Sequence, residues 1–280
     1  MKGIHMKKKL FFPLLCVFTA ILLFIFSVIL GIKQSEEFKK GFFIYPCSQY
    51  LAESIKDPIS INFLIIDTNG QKQTFESDYR CSLIAENGQK YEAEDFVFSV
   101  SSQNKNYTLY DLNMTLNMEN LNVKRYSFHS IEFENEKEQG EIFRYSIGKA
   151  TLDLRDGITD TENISFGASP FADDTNGYLL YCENKTTTSL IIEQISFDVN
   201  VDDIGSVTGE QFEKIEIMPG EARDIIVPMK DITDRNVILK PFVTYSAEGN
   251  QYIGIPTVST KYLSEISEKE ILEYINGEAG

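Results

Sequence analysis

Histidine and cysteine are the first residues to test for chemistry, because nucleophilic catalysis and most transition-metal sites depend on them. The chain has 280 residues with two histidines and four cysteines. His5 precedes a long apolar stretch, so any Ser–His–Asp or Cys–His arrangement beyond that stretch must use His129. In VKRYSFHSIEF (123–133), His129 alternates with Ser127 and Ile131 on one strand face, while Tyr126, Phe128 and Ser130 take the other. That pattern describes a partly exposed strand histidine, not a base aimed at a nucleophile. Cys16 lies inside the apolar stretch, leaving Cys47, Cys81 and Cys182 beyond it. Three is odd and no pair has CxxC spacing, so neither a disulfide framework nor a zinc or thioredoxin-like site is expected. A Cys47–Cys81 bridge is the pairing that would tie two segments together. Cys182 alternates with Leu180 and reads as a small buried hydrophobe. No GxSxG, HExxH, GxxxxGK[ST] or GxGxxG motif occurs.

Carboxylates are abundant, with 42 acids, so inventory alone permits the acid pair of a glycosidase. The chain has no Trp, the side chain that most often stacks on sugars, which counts against that chemistry. Calcium ligation has weak candidates in Asp198, Asn200 and Asp202, whose spacing matches positions one, three and five of an EF-hand loop. The sixth position is then Asp203 instead of Gly and the twelfth is Gly209 instead of Glu, so the loop match fails. Two further clusters, Asp153, Asp156 and Asp160 around Gly157, and Asp173, Asp174 and Asn176, have the composition of solvated turns. Residue chemistry therefore names no catalytic residue and no cofactor.

The strongest single feature is LFFPLLCVFTAILLFIFSVILGI, residues 10–32, which is 23 residues without a charge. As a helix it spans about 34 Å, enough for a hydrocarbon core of about 30 Å. The run exceeds a signal-peptide core and ends at Ile29–Lys33 without a small-x-small cleavage site, which favours an uncleaved anchor. Lys2, Lys7, Lys8 and Lys9 precede it, predicting a cytoplasmic tail over 1–9 and everything after the span outside the cytoplasm. From Lys33 onward 22 basic residues face all 42 acids, a net charge of −20. Such a surface repels phosphate backbones, which argues against nucleic acid, and it favours solubility. The four Asn-x-Ser/Thr sequons, at Asn106, Asn113, Asn163 and Asn184, are expected bare, since Lys, Ile, Asn and Glu bias suggests an AT-rich bacterial genome.

The elements beyond the anchor fall into segments. Residues 33–58 read as a juxtamembrane stalk with charge clusters, an aromatic patch (Phe42, Phe43, Tyr45) and a short helix over 48–56 from the spacing of Tyr50, Leu51 and Ile55. From Ile59 the apolar period becomes two. Residues 59–157 read as a β-rich domain, with hairpins predicted at Asn69-Gly70 and Asn87-Gly88. A polar boundary over 156–169 precedes a second run of short strands within 164–262, namely YLLYCE (178–183), SLIIEQISFDVNV (189–201), FEKIEI (212–217), RDIIV (223–227), NVILKPFVTYS (236–246) and QYIGI (251–255), with turn signals at Pro219-Gly220-Glu221 and Glu248-Gly249-Asn250. This half resembles the immunoglobulin-like modules of bacterial surface proteins, and the resemblance implies a β-sandwich. Residues 263–280 form a helix and tail: Ser267 and Glu270 make a capping box, Ile266, Ile271, Leu272 and Ile275 share a face, and Gly277 suits the stop.

The expected protein is an all-β ectodomain, sandwich-like and immunoglobulin-like in its C-terminal half, on a single N-terminal transmembrane helix, with a short C-terminal helix. Its expected place is a bacterial cell membrane, single-pass, as a non-catalytic interaction or accessory module with a protein partner in the envelope. The alternatives are an envelope carboxylate-type hydrolase and a calcium-dependent adhesion module.

Overall fold

An apolar residue at every second position lets a chain bury one face by pairing as strands, and this rule governs most of the molecule. The computed structural model describes residues 39–117, 121–137, 140–157, 164–168, 177–196, 213–228, 237–256, 260–262 and 267–277. Most of them are strands. In chain order these are β1 (Phe42–Tyr45), β2 (Cys47–Ser54) and β3 (Ser60–Asp67), then helix α1 (Lys72–Asp78). There follow β4 (Tyr79–Ala85), β5 (Lys90–Gln103), β6 (Thr108–Leu116), β7 (Arg125–Asn135) and β8 (Ile142–Arg155). The second half supplies β9 (Ile164–Ala168), β10 (Gly177–Asn184), β11 (Leu190–Ser196), β12 (Ile215–Ile217) and β13 (Ala222–Pro228). It continues with β14 (Val237–Lys240), β15 (Phe242–Ala247), β16 (Asn250–Gly254) and β17 (Thr260–Tyr262), and ends in helix α2 (Glu268–Gly277). Among the described residues no helix is long and apolar enough to cross a membrane; the tail 1–9 and the anchor 10–32 lie outside the described residues.

Three sheets result: a ten-stranded one in the order β1-β3-β6-β5-β4-β7-β8-β2-β14-β17, a three-stranded one, β13-β10-β9, and a four-stranded one, β12-β11-β15-β16. The large sheet folds over a first core in which Phe42, Phe75, Phe98 and Phe133 meet with Tyr145; Phe42 and Phe75 lie 4.8 Å apart edge to face, and Phe75 stacks on Phe133 at 4.6 Å. The two smaller sheets enclose a second core of Phe166, Tyr178, Leu180, Cys182, Ile192, Ile217, Ile225 and Tyr245. Lys40–Glu270 forms one compact unit. The second unit, Met1–Lys39 with Ile271–Gly280, contains most of α2, in which Ile271 and Ile275 are buried. The capping box is formed as expected: Ser267 N–H donates to Glu270 Oε2 at 2.7 Å, and Glu270 N–H donates to Ser267 Oγ at 3.2 Å.

Strand β2 explains why the segment read as a stalk is not one in its described part. It runs parallel to β8 on one side and to β14 on the other. Cys47 and Leu51 enter the first core, while Tyr50 and Ala52 enter the second. A strand buried on both faces loses the alternation that marks a half-exposed strand. Tyr50, Leu51 and Ile55 thus mimicked a helical stripe, and no helix forms over 48–56. The aromatic patch is divided as well, with Phe42 buried and Phe43 and Tyr45 half-buried in β1.

Three other expectations change. The hairpin at Asn69-Gly70 is replaced by α1, because the buried Asp67 carboxylate accepts from four backbone N–H groups: Asn69, Gly70 and Gln71 on Oδ1 and Lys72 on Oδ2, at 2.8–3.2 Å. Those amides are the ones a helix start leaves unpaired. The run 236–246 is not one strand: at Pro241 the chain changes sheets, β14 joining β2 and β15 joining β11. At His129 a bulge in the pairing of β7 with both neighbours reverses the side-chain alternation, so Phe128 and Ile131 share the first core and Ser130 takes the opposite face. The Asn87-Gly88 hairpin forms as expected, with Gly88 at φ +82° and its N–H donating to Ala85 O at 2.8 Å.

Candidate functional site

Charged side chains collect where β2, β8 and β14 lie between the two cores. Asp153 of β8, in register with Ala52 of β2, has a side chain 2% exposed. It accepts from Tyr50 Oη at 2.9 Å, from Arg125 Nη2 at 3.1 Å and from Arg155 Nη2 at 2.9 Å, and Arg155 Nε lies in ion-pair contact with Oδ1 at 2.8 Å. Arg155 also stacks over the Phe242 ring, 4.5 Å from its centre. On the other face of β2, Glu53 receives Lys240 Nζ of β14 at 2.5 Å, both side chains under 10% exposed. Burial raises the Glu53 carboxyl above its ordinary range, and the charge and hydrogen bond of Lys240 oppose that rise without cancelling it.

The other buried carboxylates are similarly committed. Asp67 caps α1, and Glu132 of β7 receives Arg144 and Lys90 from the strands beside it. Burial alone would raise Glu132, but the hydrogen bonds from Lys90 and Arg144 outweigh it and hold the carboxyl below its usual range. A glycosidase needs one carboxyl free to give a proton and a second aimed at the same bond. Glu53, Asp67, Glu132 and Asp153 are instead each held by cations or amides within the framework. His129 is exposed on β7 at the bulge. Among the described residues no group of three or more His, Cys, Asp or Glu converges as a metal site would require. Asp198, Asn200 and Asp202 lie outside the described residues, as do Asp160, Asp173, Asp174 and Asn176.

Cys47, Cys81 and Cys182 are buried thiols in no disulfide, so the Cys47–Cys81 bridge does not form. Cys81 Sγ rests 3.7 Å from Met114 Sδ, and burial pushes the Cys81 thiol well above its ordinary range. Burial pushes Cys182 up to about 12. Neither has the lowered thiolate equilibrium of a nucleophile. Asn184, the first residue of a sequon, is fully buried and donates through Nδ2 to Thr188 O at 2.8 Å and Ile217 O at 2.9 Å. Its amide closes a turn and has no room for a glycan.

Sheet edges and faces remain as surfaces for contact. In the three-stranded sheet, β13 and β9 are the edges, and Tyr181, Leu179 and Ile226 stand on the outer face, with Leu179 opposite Ile226 in register. Beyond Glu92, β5 leaves β4 and pairs only with β6 among the described strands, so its other edge is open. Alternation alone could not have revealed the charged residues of β2 and β14, because the partners of Glu53 and Asp153 lie 187 and 103 positions away for Lys240 and Tyr50.

No protein-family model matches the sequence, and no curated protein matches it. Solved structures to which the chain is similar include the periplasmic chaperone SfaE, at 9% identity and a TM-score of 0.23 over 77% of this chain and all of that one. The E. coli chaperone DraB matches at 9% identity and 0.24, over 81% of this chain and all of its own, and the YadV chaperone at 12% and 0.20, over 79% and 99%. Likeness this loose carries neither fold nor function to the present chain.

Proposed function

We propose that this is a membrane-tethered, extracytoplasmic β protein of a bacterial envelope that acts by binding another envelope protein and not by catalysis. The observation that carries the reading is the 23-residue uncharged run at 10–32 followed, after eight residues, by Gly41, where the chain enters an all-β unit. The net charge of −20 beyond the span fits a soluble domain facing away from nucleic acid. The commitment of Glu53, Asp67, Glu132 and Asp153 to internal partners supports a non-catalytic role. An immunoglobulin-like topology for 164–262 is part of the proposal. Its support is the strand order: counting β9, β10, β11, β12, β13, β15 and β16 as seven, one sheet runs 5-2-1 and the other 4-3-6-7, the interleaving of a Greek-key sandwich. Tyr181, Leu179 and Ile226 of the β13-β10-β9 face offer the partner an apolar patch.

Cross-linking in native membranes followed by mass spectrometry is the test. Recovery of a second envelope protein joined near Tyr181 or Ile226 is the expected result. Recovery of contacts within the chain alone, or release of a full-length soluble protein on gentle lysis, would overturn the reading.

A further inference from the structure

The open edge of β5 lies in an acid-free stretch of a very acidic chain. Phe96–Tyr110 (FVFSVSSQNKNYTLY) holds fifteen residues with one lysine and no acid, between Asp95 and Asp111. Val97 is 50% exposed and Val100 62%. From Ser99 to Gln103 every residue of β5 is exposed. Exposed strand edges are normally guarded by charge, and this edge carries none from Phe96 to Gln103.

Register places this segment at a particular end of the sheet. Phe42 opposes Asp67, Asp67 opposes Thr108, and Thr108 opposes Gln103, so one row crosses β1, β3, β6 and β5. Along that row the chain enters β1. The entry point is held by Thr68, which donates its backbone N–H to Gly41 O at 2.9 Å and accepts Gly41 N–H on Oγ1 at 2.7 Å. Beside it projects the β5–β6 turn, closed by Asn104, whose Oδ1 accepts from Asn106 and Tyr107 N–H at 2.8 and 2.9 Å. Val100 opposes Tyr110, over whose ring Lys72 Nζ lies 5.5 Å from the centre, its charge shared with Glu76. Glu268 also meets the tip, its Oε1 accepting from Asn106 Nδ2 at 3.1 Å.

We infer that the β5–β6 tip rests in the headgroup region of the membrane that anchors the chain, with Val100 and Tyr107 toward the lipid. The inference rests on the anchor reading of residues 10–32. Eight residues, 33–40, separate the anchor from the Gly41 clamp, so this end of the sheet is tied within about 30 Å of the span even if they are fully extended. Tyrosine, with an apolar ring and a polar tip, suits the interface, and Lys39, Lys40 and Lys105 at the same end suit phosphate headgroups. A protein strand added to the β5 edge is the competing occupant. The register shift between Val100 and Ser102 interrupts the ladder such a strand would need, which favours lipid.

Because the chain lacks Trp, one introduced tryptophan reports its own surroundings. The full-length chain carrying Val100→Trp is reconstituted in vesicles of phosphatidylcholine with phosphatidylglycerol, with Tyr107→Trp as the second variant at the same tip. Ile226→Trp, on the three-stranded sheet, is the control. Tip emission shifted to shorter wavelength and lost when brominated lipid replaces the ordinary one, with Ile226→Trp unaffected, is the expected result. Unquenched, water-like emission from both tip variants in chains that stay with the vesicles after a carbonate wash would overturn this inference and leave the anchor reading standing. Equal quenching of tip and control would also overturn it. A chain stripped from the vesicles by carbonate would overturn both.

Discussion

Replacing Lys240 by Met leaves Glu53 buried opposite a thioether, and the resulting loss of stability has a pH signature that can be worked out in advance. Both side chains are under 10% exposed and meet at 2.5 Å, so no solvent enters to replace the ammonium. In the variant the carboxyl stays neutral in the folded state by binding a proton that the unfolded chain releases. With an ordinary glutamate value of 4.5, that costs at most about 3.4 kcal/mol at pH 7 and about 0.7 kcal/mol at pH 5. The sign follows from proton counting. Glu53 is raised in the fold, so between its unfolded and folded values the native state binds more protons and stability falls as pH rises. The penalty is absent below the unfolded value and complete above the folded one. Removing Lys240 raises the folded value further and steepens this fall. Urea unfolding of the full chain in detergent, followed by circular dichroism at pH 7 and pH 5, measures the difference. Lys240→Met combined with Glu53→Leu should recover stability to within about 1 kcal/mol of the parent, because a buried ion pair and an apolar pair of similar volume are often nearly equivalent. A loss of equal size at both pH values, or a double variant no better than the single, would refute the assignment of Glu53 and Lys240 as a desolvated pair.

Other substitutions test other parts of the fold. Phe75→Ala should cost about 3–5 kcal/mol in urea unfolding, since the ring is 1% exposed and meets Phe42, Tyr79, Phe133 and Phe143; a loss under about 1 kcal/mol would contradict its burial. Gly254→Ala should cost about 1–3 kcal/mol of stability, read as a lowered thermal midpoint, because a Cβ there overlaps Cε2 and Cζ of Phe166. Gly220→Ala, where nothing lies within 4 Å, should cost only the strain of its φ of +70°, about 1 kcal/mol. Cys47, Cys81 and Cys182 should resist maleimide at pH 8 in the native chain and react on unfolding, as read by mass spectrometry; native labelling of Cys81 or Cys182 would show that burial does not hold their thiols protonated. His129→Ala should change stability by less than about 0.5 kcal/mol, being exposed on β7.

The capping box at Ser267 and Glu270, the glycine turn at Asn87-Gly88 and the strands of β10, β11, β13 and β16 were legible because each depends on residues a few positions apart. So was Cys182, which alternates with Leu180 in the strand that buries both. Strand β2 was not legible, because its faces are covered by two different cores and its partners β8 and β14 are about a hundred and nearly two hundred residues away. Asp67 overrode a good hairpin signal by supplying the acceptors that four amides needed. A bulge at His129, invisible to a count by twos, exchanged which of Ser130 and Ile131 faces the core.

Local order therefore follows from the sequence: period-two patterning for an all-β fold, and a cap and a glycine turn where residues a few positions apart supply them. Tertiary structure decided which strands neighbour which, and with that every charged partnership. Pairing Glu53 with Lys240 and Asp153 with Arg125 and Tyr50 depends on loop closures of 187, 28 and 103 positions, whose free energies no short-range pattern encodes.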